Sequence, residues 1–202
     1  MRATFILLAY LSLLTLACTD PATETTEVGA RPPVPDSTTL IVPGRRLGLI
    51  PVHARPEVLE SLLKPPYRSD SGAGTTVAYY QSPLPGDTTT LTVILTMEPE
   101  DSMRKNVQII RTGSPRYRDE YGLGVGSPRD SIAKNYALSE RLASYGEGSD
   151  SVAVYATGTG LTWEIDTDGN CRGLSVHDTR RTPSPNYRPD YPEMTREYPP
   201  GQ

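Results

Sequence analysis

The chain has 202 residues, with 20 Lys+Arg against 24 Asp+Glu and a formal charge of −4. That length gives room for one domain, or two small ones, with a real core. The mild acidity excludes a nucleic-acid-binding surface, which needs a clear basic excess against phosphate. Two histidines and two cysteines, in no Cys-x-x-Cys or His-x-x-x-His spacing, leave a structural zinc site without ligands; no metal and no cofactor are expected.

Arg2 provides a positive start, and Phe5 to Leu16 is apolar apart from Ser12 and Thr15. An apolar run this short, ending on Ala17, reads as a secretory signal over 1–17, since a bilayer span needs about 20 apolar residues. The segment Leu14-Thr15-Leu16-Ala17-Cys18 resembles the bacterial lipobox. The resemblance implies acylation of Cys18, and several chains on one cysteine anchor stably where one binds only marginally. The competing reading is a plainly cleaved signal with Cys18 as a chance first residue. Thr19, at the second mature position, resembles lipoproteins that leave the inner membrane. The expected address is therefore a bacterial envelope, at the outer membrane, with Cys18 as the lipid attachment site. Residues 19–40 are Thr-, Pro- and acid-rich with no apolar period, and read as a disordered tether.

Residues 41–178 divide into two similar halves, 41–112 and 113–178. "LIPVHARPEVLESLL" (49–63) and "GLGVGSPRDSIAKNY" (122–136) align without gaps, each passing from an apolar stretch through a turn into a short helix. Pro56 and Pro128 sit at the helix entries, where a missing N–H costs nothing. Glu57 and Asp130 suit the helix N-terminus. Val58, Leu59, Leu62 and Leu63 make an apolar stripe that Pro65-Pro66 stops. Strands are expected over 75–82, over 88–97 with Leu91, Val93, Leu95 and Met97 on one face, and over 106–112. In the second half Val152 and Val154, then Leu161, Trp163 and Ile165, then Leu174 and Val176 alternate, and "TDGN" joins the last two as a hairpin turn. The expected fold is α+β: two tandem repeats, each a short helix plus a roughly three-stranded antiparallel sheet.

This unit, used twice, resembles the tandem repeat of the β-lactamase-inhibitor-protein fold, shared with small outer-membrane assembly lipoproteins. "YGLGVGSPRDSIAKNY" (121–136) is similar to that repeat's opening, although His53 stands where the second half has Gly126 and "LLKPP" where a glycine usually follows the helix. The resemblance implies a protein that binds other proteins and does no chemistry.

The residues themselves offer few routes to catalysis. "DTDGN" (166–170) begins like a calcium loop but lacks a third oxygen ligand before the glycine and an acid at the loop's end. "GLGVGS" (122–127) lacks the Lys-Ser/Thr of a phosphate loop. Cys171 has no intrachain partner and reads as a buried thiol or a reactive leftover. Ser175 and His177 share one strand face, but two-residue spacing sets them roughly 7 Å apart, and Asp178 points the other way; a hydrolytic dyad needs about 3 Å. The tail 179–202 is too rich in proline for helix or sheet interiors and reads as a disordered, partly polyproline segment. Its alternative is a binding segment anchored by Tyr187, Tyr191 and Tyr198. "SPRYRDEY" (114–121) puts Tyr117, Arg118 and Tyr121 in an exposed loop, residue types favoured at interface hot spots. The uncovered sheet face, with Thr92, Thr96, Trp163 or Tyr155, is the other candidate contact surface. The expected function is non-enzymatic binding of an envelope protein partner. A small hydrolase built on Ser175 and His177, or a protein holding a small hydrophobic ligand between helix and sheet, are the alternatives.

Overall fold

The computed structural model describes residues 36–98, 101–147, 150–180 and 195–196. The signal, Cys18, Tyr187, Tyr191 and Tyr198 lie outside them. A three-stranded sheet opens the described chain, with β1 (Ile41–Val42), β2 (Arg46–Leu47) and β3 (Ile50–Pro51) in that order. Helix α1 (Pro56–Leu62) follows, then β4 (Arg68–Gly72), β5 (Thr75–Gln81), β6 (Thr90–Glu98) and β7 (Asp101–Thr112). Helix α2 (Arg129–Asn135) precedes β8 (Leu138–Glu147), β9 (Asp150–Thr157), β10 (Leu161–Ile165) and β11 (Cys171–His177). The two-residue strand β12 (Thr195–Arg196) pairs on β8, so this much of the tail expected to be disordered is strand.

The expected α+β architecture of two helix-plus-sheet repeats is overturned. The protein is mainly β, and strands from both halves run into one nine-stranded sheet, β12-β8-β9-β10-β11-β7-β6-β5-β4. The seam is the antiparallel pairing of β11 with β7, from Leu174 opposite Thr112 to His177 opposite Ile109. The physical reason lies in the helices. Each has seven residues and buries one residue fully, Leu59 in α1 and Ile132 in α2. Two turns with one buried side chain cannot carry a core, whereas the β-branched runs of β6, β7, β10 and β11 can.

One sheet face packs against the helices and the small sheet. Leu91, Val93 and Leu95 of β6, Leu161, Trp163 and Ile165 of β10, and Leu174 and Val176 of β11 all belong to this cluster. The register shifts between Ile94 and Leu95, leaving Gln108 as an extra residue in β7. That bulge keeps both Val107 and Ile110 on the core face. The opposite face carries a smaller cluster that joins Ile94 and Ile109 to Ala143, Tyr145, Val152 and Val154. Those residues come from strands on either side of β10 and β11, so the sheet curls strongly about that pair.

The helix entries match the sequence pattern: Pro56 stands in the first turn of α1 and Pro128 caps α2, with Glu57 and Asp130 in the first turns. The β10–β11 hairpin closes through 166–170, with Gly169 at φ +80. The Asp166 carboxylate accepts from the Asn170 N–H at 2.7 Å and from Arg172 Nε at 2.7 Å, so it ties the turn together.

Candidate functional site: a cleft beneath the first helix

Leu63 ends α1 by donating its N–H to Leu59 O, and Pro65-Pro66 then forbid any further helix. The chain then enters the nine-stranded sheet for the first time as β4, an edge strand of small and charged residues. Between α1 and the sheet a cleft of about 550 Å³ remains open. Leu59 and Leu63 line its helix side, Pro65 and Pro66 one wall, and Ala78, Tyr80 and Leu95 its floor. Ala78 has the smallest side chain of that floor, which leaves depth beneath the helix. The polar lining is sparse: Thr76, Ser69 and Lys105 with Glu60 and Lys64. Lys105 donates from Nζ to Thr76 Oγ1 at 2.7 Å. Burial raises the Tyr80 hydroxyl above its ordinary value, and the Glu60 charge adds to it. A neighbouring apolar hollow of about 400 Å³ lies on the other side of Leu63, against Leu49, Leu84 and Tyr117.

On the opposite sheet face a polar row crosses five strands in register: Tyr79, Thr92, Arg111, Ser175 and Thr162. Next to it Arg111 reaches Glu164 with two parallel hydrogen bonds, Nε to Oε1 at 2.7 Å and Nη2 to Oε2 at 2.6 Å. Tyr145 donates to the same carboxylate at 2.6 Å. Glu164 is 0% exposed. The pair spans β11 because Gly173, opposite Glu164, has no side chain: a Cβ there would lie 2.5 Å from Glu164 Oε2 and 2.6 Å from Arg111 Nη2.

The candidate hydrolytic residues are not brought together. Ser175 is 1% exposed, and its Oγ finds no hydrogen-bond partner among the described residues. His177 Nδ1 lies 3.0 Å from the Asp178 backbone oxygen. The Asp178 carboxylate faces away, 3.0 Å from His53 Nε2 and 2.9 Å from Arg180 Nη2. His53 holds this position at φ +66, a backbone region that favours glycine.

Hydrogen bonding from Arg180 holds the Asp178 carboxyl at about 2, and the His53 ring adds to the effect. A carboxyl whose folded pKa lies below its unfolded one gives stability that is complete above about pH 4 and is lost as the pH falls toward 2. Arg180 is largely exposed, so screening reduces the contribution to about 1 kcal/mol. Asp178→Asn is therefore expected to cost about 1 kcal/mol at pH 7 and much less at pH 2, measured by urea unfolding at both. An equal loss at both values would place the effect in packing.

The other sequence candidates fall as follows. Cys171 is buried, and burial pushes its thiol up, with the Glu164 charge adding to the shift; it is a core thiol. Trp163 and Tyr117 are buried in the main cluster and Thr92 is buried on the other face, so none of the three offers a free contact surface. Arg118 is half-buried and donates to Val125 O at 2.8 Å, while Tyr121 is 48% exposed. The glycine-rich loop spends its amides internally, Leu123 N on Asp119 Oδ1, Gly124 N on Ser127 Oγ and Gly126 N on Cys171 O. Those N–H groups are not turned toward a phosphate. Among the described residues no group of three His, Cys, Asp or Glu is placed to hold a metal ion.

No family model and no curated protein matches the chain. Among solved structures, an extracellular protein containing a SCP domain from Bacillus anthracis str. Ames is similar at 13% identity and a TM-score of 0.39, over 63% of this chain. The match spans 44% of that protein's length, and the likeness is too slight to bear on fold or function. Among the described residues no helix is long and apolar enough to cross a membrane.

Proposed function

We propose that this chain is a non-enzymatic binding protein of the bacterial envelope, tethered through a lipid on Cys18, and that it holds a small apolar ligand beneath α1. The observation that carries the reading is the cleft itself. Its volume of about 550 Å³ falls within the roughly 300–1,000 Å³ of small-molecule sites, which are mostly apolar with a few placed polar groups. Ser175 Oγ, which finds no hydrogen-bond partner among the described residues, favours binding over hydrolysis. The lipobox-like segment ending at Cys18 supports the tether.

The test is native mass spectrometry of the full chain as purified, followed by titration with a neutral alkyl probe such as dodecanol. A bound amphiphile, or saturable uptake of the probe, is expected. Ala78→Phe puts a ring into the cleft floor and should abolish uptake; because Ala78 is buried, circular dichroism at the assay temperature checks that the variant is folded. No bound molecule and no saturable uptake would sink the reading.

A further inference from the structure

Lys105 lies on β7 opposite Met97, on the core side of the sheet, and its amine enters the apolar cleft. Its recorded hydrogen bond goes to a neutral hydroxyl, Thr76 Oγ1, which also meets Ser71 Oγ at 2.8 Å. Among the described residues no carboxylate pairs with Lys105. A half-buried ammonium against apolar walls is stabilised by any anion that reaches it, because low local dielectric strengthens the attraction. At the other end, four positions along β5 from Thr76, the exposed Glu60 carboxylate acts on the Tyr80 hydroxyl. Four strand residues span roughly 13 Å. The cleft floor is therefore an apolar strip with the Lys105 cation at its Thr76 end. The Tyr80 end carries both signs, because Lys64, exposed on the rim, also lies with Gln81 and Ser82.

We infer that the ligand is a single alkyl chain ending in an anion, a carboxylate or a phosphate, with its head on Lys105 and its tail running toward Tyr80. This rests on the reading of the cleft as a ligand site. Lys105 is the half-buried charge of the lining, whereas Glu60 and Lys64 are exposed and screened, so the head group goes to Lys105.

The experiment is calorimetric titration of the full chain with dodecanoate, dodecyl phosphate, dodecanol and dodecyltrimethylammonium. The two anions are expected to bind about tenfold tighter than the alcohol, and the cation more weakly than the alcohol. Each added methylene should tighten binding about fourfold. Lys105→Gln, which can still donate to Thr76, should erase the preference for anions while leaving dodecanol binding in place, and Lys105→Arg should keep it. Stronger binding of the carboxylate or of the phosphate would say which head group the cleft reads. Equal binding of dodecanoate and dodecanol, or an anion preference that survives Lys105→Gln, would overturn the inference and leave the cleft reading standing. Failure of all four probes would remove both.

Discussion

Arg111→Ala is expected to destabilise the fold by about 3–5 kcal/mol, the range for removing one partner of a buried ion pair. The substitution removes two parallel hydrogen bonds from Glu164, a carboxylate with no exposed surface. Much of such a loss is the penalty for weakening the support of a buried carboxylate, not the worth of the pair. The double replacement Arg111→Met with Glu164→Met should therefore recover much of it, because it removes both charges and keeps side-chain volume. Urea unfolding with the slope held constant is the measurement. A single-mutant loss under about 1 kcal/mol would mean that water reaches the pair and that the inner face opens in solution.

Trp163→Ala should cost a similar amount, about 3–5 kcal/mol. The indole is 0% exposed, packs 5.7 Å from the Tyr136 ring at the end of α2, and lies in the largest cluster. Its loss opens a cavity where both halves of the sheet share a core. Trp163→Phe should cost much less. It keeps most of the apolar area and removes an indole N–H that finds no partner among the described residues. This is the chain's only tryptophan, so unfolding of both variants is followed by far-ultraviolet circular dichroism. Equal losses for Ala and Phe would point to a specific role for the indole beyond filling space.

Local features were the legible part. Pro56 with Glu57 and Pro128 with Asp130 mark both helix starts, and alternation marks β6, β10 and β11 as strands. It does not mark which face turns inward: Trp163, read as a contact residue, is buried. The strands that escape notice have compositions that conceal them. "RSDSG" of β4 holds no apolar side chain, and "LSERLASYGE" of β8 mixes charges into an edge region with two register shifts. The merging of the halves is invisible along the chain, because nothing near β7 announces that its partner is β11. The cleft is hidden for the same reason: its lining comes from α1, β4, β5, β6 and β7. One signal for the inner face was present. A glutamate alternating with Leu161, Trp163 and Ile165 in the middle of a strong strand needs a buried partner, and Gly173 marks where that partner passes.

The seam between β7 and β11 has a kinetic consequence. Every other neighbouring pair from β4 to β11 joins strands adjacent in the chain, and such hairpins close over short loops in about 1–10 μs. Ile109 meets His177 only after the whole of α2, β8, β9 and β10 has been threaded between them, so loop-closure entropy is spent before that contact returns anything. Non-local pairing of this kind sets the pace of all-β folding. Until the seam zips, β7 and β11 each present a naked edge beside an open apolar face. The central strands of the finished sheet are thus its most vulnerable edges while it forms.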